Sequence, residues 1–345
     1  MNKFYDGTKI LSLKDLNGMD PEIYMITSNR SGGKTTFFNR MEVNRFKKTR
    51  KKFGLLYRFN YELDNVDEKF FKDIAGLFFP KDTFRSKRMA SGIYHELFLN
   101  DEPCGYALTL NSADQIKKNS HLFSDLDSYI FDEFQSETGH YCDKEVEKFR
   151  NIHTSIARGG GKQVRRVPVY MLSNPVTLLN PYYTAMHIGA RLQKDTNFLR
   201  GNGWVLEQGF VSSASLAQKE SAFNRAFSGD QYDRYNTEAV YLDDNMSFVG
   251  RPKGRAVYIC TILYMGNYYG LKEYREDGIM YVDSRPDMDC QRKLTVTTDD
   301  HRINYVMLKR NDMFLQNMRY LFEHGAFRFA GLAEKDALIS ALGYY

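Results

Sequence analysis

A chain of 345 residues with 42% hydrophobic and 26% charged side chains has enough material for two domains with buried cores, which excludes a disordered or fibrous protein. The net charge of +5 permits a polyanionic partner without requiring one. Cys104, Cys142, Cys260 and Cys290 show no ligand-like spacing, so neither a zinc site nor a disulfide framework is expected, and scattered thiols fit a cytosolic compartment.

In chain order, Met1–Leu13 alternates polar and apolar residues and lacks the apolar core of a signal peptide. No later run approaches the ~18 uninterrupted apolar residues of a membrane span, so no membrane partner is expected. Strand-like runs follow at Glu22–Ser28, Phe53–Phe59, Ser128–Phe134 and Val167–Ser173. Three of them are nearly continuous in apolar residues, which suits central parallel strands covered on both faces. Gly92–Asn100 and Cys104–Leu110 flank Asp101-Glu102-Pro103 and read as a hairpin. Lys144–Arg158 carries Val146, Phe149, Ile152 and Ile156 at helical spacing and stops at Gly159-Gly160-Gly161. The first two thirds therefore predict an α/β fold.

After Pro181 the texture changes. Residues 209–237 are rich in Ser, Ala, Gln and Asn and read as a linker or lid with some helix. Beyond them come short strands at Ala239–Leu242, Arg255–Tyr264, Tyr268–Tyr274 and Gly278–Asp283. Turns at Gly266-Asn267 and Glu276-Asp277-Gly278 join the last three. A helix over Asn311–His324 places Phe314, Leu315, Met318, Leu321 and Phe322 on one face, giving a meander followed by helix.

The segment Ser28-Asn29-Arg30-Ser31-Gly32-Gly33-Lys34-Thr35-Thr36 joins an apolar strand to a helix. It matches the Gly-Lys-Thr end of a phosphate-binding loop, with Ser28 where the pattern has its first glycine. Such a loop needs backbone N–H groups aimed at phosphates and a helix N-terminus behind them, which Ser28 permits if its φ is negative. Lys34 would then reach the β- and γ-phosphates of ATP, and the Thr35 hydroxyl would coordinate magnesium. An ordinary strand–turn–helix junction is the bland alternative.

Downstream, Ser128-Tyr129-Ile130-Phe131-Asp132-Glu133-Phe134 ends an apolar strand in adjacent carboxylates. Paired with the loop, Asp132 reads as a magnesium ligand through water and Glu133 as the general base on the attacking water. Ser173-Asn174, at the tip of the next strand, suits a sensor of the γ-phosphate and the water, though Asn174-Pro175 is also an ordinary turn opener. Arg158 ends a helix, where it complements the dipole; the same position would let it enter a neighbour's active site as an arginine finger.

With these elements placed, the sequence resembles the DNA-packaging ATPases of small tailed phages of the phi29 type, motors related to terminase large subunits. The resemblance is carried by Phe4-Tyr5 with Ile10-Leu11-Ser12, the loop Asn29–Lys34, Ile130–Phe134, Leu172-Ser173-Asn174, Asn180-Pro181-Tyr182, Met280–Asp283 and Leu294–Asp300. It implies an N-terminal ASCE-type P-loop ATPase domain with a mostly parallel sheet over residues 1–208. A small linker or lid over 209–238 and an RNase H-like α+β domain over 239–345 would follow. It also implies a homomeric ring, commonly a pentamer, that moves double-stranded DNA through the portal of an empty capsid in the host cytoplasm. Lys34, Thr35, Asp132 and Glu133 match the ATP and magnesium positions, and Arg158 the arginine that acts in trans. Whether a packaging RNA takes part stays open.

Two-metal nuclease chemistry needs gathered carboxylates about 4 Å apart. The strand Arg255–Tyr264 has none, and Asp283, Asp287, Asp289, Asp299 and Asp300 fall at strand ends and turns, so no cleavage is expected. DNA-contacting candidates are Lys47-Lys48-Thr49-Arg50-Lys51-Lys52, Lys162 with Arg165-Arg166, and Arg251–Arg255; for each run alone a solvated face is the stronger reading. The competing functions are a RecA-like helicase on single strands, a cleaving terminase, and an assembly protein that binds ATP without turnover.

Overall fold

The computed structural model describes residues 4–158, 163–192, 196–226, 250, 252–295, 297–307 and 312–343. The expected glycine stop at 159–161, Lys162, the strand at 239–242, residues 227–238 of the linker, and Arg251 lie outside them. The chain divides into two compact units, Met1–Pro175 with Asn197–Val240, and Val176–Thr196 with Tyr241–Tyr345.

After a short helix at Thr8–Ser12, the first unit runs through β1 (Ile23–Ser28), α1 (Lys34–Thr49), β2 (Lys52–Tyr57) and α2 (Val66–Phe78). It continues through β3 (Phe84–Met89), β4 (Tyr94–Leu99), β5 (Glu102–Thr109), β6 (Leu126–Asp132) and α3 (Glu145–Ala157). It closes with β7 (Val169–Ser173), β8 (Phe198–Arg200), β9 (Trp204–Gly209) and α4 (Ser212–Glu220). The nine strands form one sheet in the order β3-β4-β5-β2-β6-β7-β1-β9-β8. From β5 to β9 every pair is parallel, while β3 and β4 extend one edge antiparallel and β8 closes the other. The four apolar runs of the sequence are its central strands β1, β2, β6 and β7. Val169–Ser173 is buried throughout, as a strand covered on both faces must be.

Three strands of this unit, β3, β8 and β9, were not expected. β9 reads Trp-Val-Leu-Glu-Gln-Gly, and its acid hides an otherwise apolar run. β3 reads Phe-Arg-Ser-Lys-Arg-Met, the cationic pattern with which exposed edges discourage further pairing. A sheet order that places β7 between β1 and β6 brings three strand tips together at the carboxyl end, where open α/β sheets bind ligands.

Gly105 on β5 faces β2 so closely that a Cβ would lie 1.8 Å from the Phe53 carbonyl oxygen. Backbone cannot yield as a flexible side chain can. Gly105→Ala is therefore expected to cost at least the ~1–3 kcal/mol of ordinary overpacking. A thermal melt within error of wild type would show that the two strands can part without loss.

The second unit contains the expected meander, β10 (Val257–Tyr264), β11 (Asn267–Tyr274) and β12 (Ile279–Asp283), all antiparallel. The first turn is shifted from its expected place by one residue. Met265 and Gly266 occupy it with φ of 48° and 74°, the two left-handed positions of a type I′ hairpin. Both their N–H groups donate to the Asp300 carboxylate, at 2.7 and 2.8 Å, which holds Met265 in a conformation unusual for it. β13 (Lys293–Thr295) and β14 (Val306–Met307) add in parallel beyond β10, and β15 (Phe327–Phe329) adds beside β12. α5 (Met313–Glu323) is the expected helix, and α6 (Leu332–Leu342) follows it. Leu315, Met318 and Phe322 share a core with Leu338, Ile339 and Leu342 against this sheet.

Candidate functional site

The loop between β1 and α1 achieves its turn through Ser31 and Gly33, whose φ values are 60° and 92°. Ser28 is not left-handed, so the negative φ that the missing first glycine demanded is met. Ser28 is buried at the end of β1, in register with Gly209 of β9. Asn29 is fully buried, and its side chain clamps the segment before α4: it accepts from the Val211 N–H at 2.9 Å and donates to the Val211 carbonyl at 3.1 Å. Val211 also packs on Gly32, where a Cβ would come within 3.0 Å of its Cγ2. From α4, Gln218 donates to the Ser31 hydroxyl at 2.9 Å. From the N-terminal side, Tyr5 donates its N–H to the Gly32 carbonyl at 2.8 Å and its hydroxyl to the buried Glu207 of β9 at 2.5 Å. The loop is thus held from both sides while the N-terminus of α1 carries no side-chain cap.

Lys34 is buried, and burial pulls its ammonium pKa down against the opposing pull of Asp132 and Glu133. Its Nζ donates to Asn174 Oδ1 at 2.7 Å, joining the loop to the tip of β7. Asp132, at the tip of β6, accepts from the Glu133 N–H at 3.0 Å, and the nearby Thr35 hydroxyl favours its charged form. Burial raises its carboxyl above the usual range despite the Lys34 charge. Glu133 stands in the left-handed region at φ 55°, and partial desolvation and the adjacent Asp132 carboxylate raise its carboxyl too. Ser173 points elsewhere: its hydroxyl donates to the Asn174 carbonyl at 2.8 Å and steadies that residue. Thr36 is half-buried in a cavity of about 490 Å³ that Phe4, Tyr5, Phe37, Leu77 and Phe78 also line. A cavity of about 300 Å³ lies against Thr35, Asp132 and Glu133 and reaches Tyr57, Glu62 and Lys69.

Behind the acidic pair sits a residue the sequence did not single out. Arg58, just past β2, is buried and pairs with the buried Glu145 of α3, at 2.9 Å. Its other nitrogens donate to the carbonyls of Glu133 and Phe134, at 3.2 and 2.9 Å. An arginine following an apolar strand was the available signal; its partner, 87 positions away, was not readable. At the mouth of the loop Arg30 Nη2 donates to both carboxylate oxygens of Glu137.

Arg158 caps the end of α3 in an exposed position and, among the described residues, makes no hydrogen bond or ion pair. The single chain does not bring it to the acidic pair. The basic run after α1 is largely neutralised by its own fold, with Lys47 on Asp82, Arg50 on Glu102, Lys51 on Asp127 and Lys52 on Asp125. Arg165 and Arg166 bind the carbonyls of Ile156 and Pro21, at 2.8 and 2.6 Å. A solvated, self-paired face is what the geometry favours for these runs.

Comparison with known proteins agrees with this architecture. The DNA packaging protein of Bacillus phage phi29 is 23% identical over 330 residues, covering 94% of this chain and 93% of that protein. The corresponding protein of Bacillus phage PZA is 24% identical over the same length. Among solved structures, the bacteriophage Phi-29 viral genome packaging motor assembly shares the fold, with TM-score 0.62, 22% identity and 97% coverage of both chains. The Phi-28 gp11 DNA packaging motor matches with TM-score 0.62 and 16% identity over 99% of this chain and 98% of its own. With residues 2–339 matching the model for Podovirus DNA encapsidation protein (Gp16), the chain belongs to that family of viral genome-packaging proteins.

Proposed function

We propose that this chain is the ATP-hydrolysing motor that drives double-stranded DNA into a preformed capsid through its portal. The observation that carries the reading is the meeting of Lys34, Thr35, Asp132, Glu133 and Asn174 where β1, β6 and β7 end. A buried ammonium whose hydrogen-bond partner is a neutral amide, beside an uncapped helix N-terminus, fits an anionic phosphate chain. Two adjacent carboxyls with raised pKa beside a threonine hydroxyl fit a divalent cation.

When bound, magnesium–ATP supplies the electrophilic phosphorus and a metal that neutralises charge on its oxygens. The N–H groups of residues 31–34 and the Lys34 ammonium would hold phosphates, Thr35 and Asp132 the metal. Glu133 takes the proton of the attacking water, and Asn174, steadied by Ser173, orients that water. Arg158, which pairs with none of the described residues, serves a neighbouring subunit of a homomeric ring, pentameric by the family resemblance. The larger, apolar cavity suits the base. Strand β7 between the loop strand and the acidic strand supports the ASCE assignment.

In the second unit, a three-stranded meander continued in parallel beyond its first strand supports an RNase H-like reading over residues 239–345, with 209–238 as linker. Cleavage is not part of the proposed activity. β10 carries no acid, Asp283 is paired with Lys272 at 2.6 Å, and Asp300 is spent on the β10–β11 turn. Steady-state ATP hydrolysis by the purified chain, alone and with duplex or single-stranded DNA, tests the whole. Duplex stimulation is expected. Stimulation by single strands alone would replace the motor with a helicase.

A further inference from the structure

The mouth of the phosphate-binding loop contains an acid that a phosphate site has no simple use for. Glu137 lies five residues past Asp132, in an exposed turn closed by its own hydrogen bonds. The Gly139 N–H donates to the Ser136 carbonyl at 3.3 Å, and the His140 N–H to the Ser136 hydroxyl at 3.1 Å. From there its carboxylate reaches back to the loop, where both its oxygens accept from Arg30 Nη2. It also accepts from Asn174 Nδ2 at 3.2 Å. Asn174 in turn accepts from Lys34 at 2.7 Å, so Lys34, Asn174, Glu137 and Arg30 form one chain.

Each partner of Glu137 in that chain is a donor that a γ-phosphate would want. A carboxylate and a phosphate group are both anionic hydrogen-bond acceptors, and a guanidinium donates to either. The Glu137 charge is also felt inside the site. It acts with Asp132 and Glu133 to oppose the lowering of Lys34 by burial, and with desolvation and Asp132 to raise Glu133.

We propose that Glu137 is a built-in stand-in for the terminal phosphate of a nucleoside triphosphate, occupying Arg30 and the sensor Asn174 until a triphosphate displaces it. This rests on the nucleotide reading given above. By the same competition, the turn at 136–140 is tied to the loop without a triphosphate and let go with one. A diphosphate, which lacks the group that competes, leaves the clasp in place. The device sets the loop's preference for triphosphate over diphosphate.

The test is equilibrium titration of the full-length chain with fluorescently labelled ADP and a labelled non-hydrolysable ATP analogue, at fixed magnesium. E137Q keeps the size of the side chain and removes its charge. It is expected to bind the triphosphate about two- to fivefold more tightly, the range an exposed ion pair can supply, and to change ADP affinity less than twofold. E137D keeps the charge but shortens the reach, and should tighten triphosphate binding in the same direction. Triphosphate affinity unmoved or weakened in E137Q, or ADP tightened equally, would overturn the proposal. Tightening in E137Q with none in E137D would overturn it too, because a diffuse charge effect would then suffice. A wild-type chain that binds neither probe would sink the nucleotide reading as well, whereas wild-type binding with E137Q unchanged removes only the role of Glu137.

Discussion

Glu133→Gln is expected to lower ATP turnover by about a hundred- to ten-thousandfold, the usual contribution of a positioned general base, while nucleotide affinity stays within about threefold. Glutamine has the shape of glutamate and leaves the Asp132 contact with the backbone N–H of residue 133 in place, so the site stays assembled. What it lacks is a basic oxygen. In the wild-type site that basicity is enhanced, because partial desolvation and the Asp132 carboxylate raise the Glu133 pKa. The sign follows directly. A base works only when deprotonated, so turnover should fall as pH drops through a pKa higher than that of an ordinary glutamate, and this acid limb should vanish in the glutamine variant. Single-turnover rates across a pH series, with binding measured alongside, separate the two effects. Undiminished turnover in Glu133→Gln would transfer the role of base to another group.

How much of this was legible in the sequence depends on whether a residue's partner lies nearby. The loop and the acidic pair were readable because a strand end, two glycines and a Lys-Thr pair announce their chemistry within a few positions. The four central strands were readable because burial on both faces leaves a largely apolar run. β9 was not. Glu207 interrupts it, and that acid is tolerated in the core only because the Tyr5 hydroxyl meets it from 202 positions away. The Lys34–Asn174 bond, spanning 140 positions, likewise exists only once β7 has inserted between β1 and β6.

Charge was the least legible property. The run from Lys47 to Lys52 has the composition of a polyanion-binding strip, yet the fold sets Asp82, Glu102, Asp125 and Asp127 against it. Exposed pairs of this kind contribute little to stability, but they do cancel a field. Glu137, conversely, sits in an unremarkable polar turn, and its pairing with Arg30 depends on two loops meeting at the sheet's carboxyl edge. Local chemistry could be read from local sequence; compensation between distant charges could not.

The second large effect is expected at Arg58, whose removal should unfold the region behind the acidic pair before it alters any ligand contact. In Arg58→Ala, Glu145 would remain buried without its guanidinium, and a broken buried pair of this kind costs about 3–5 kcal/mol. For a unit of this size that corresponds to a fall in melting temperature of about 6–20 °C. Replacing both partners, Arg58→Leu with Glu145→Leu, should recover much of the loss, because the penalty lies in the stranded carboxylate and not in the absent attraction. Catalysis should not recover with it. The same guanidinium holds the carbonyls of Glu133 and Phe134, and Glu133 keeps a left-handed backbone that a glutamate does not adopt without restraint. The double variant is therefore expected to be folded and slow, a combination that separates the two duties of one side chain. A melt for Arg58→Ala within about 2 °C of wild type would mean that solvent reaches Glu145 freely, and the buried pair would then have to be read as an ordinary surface contact.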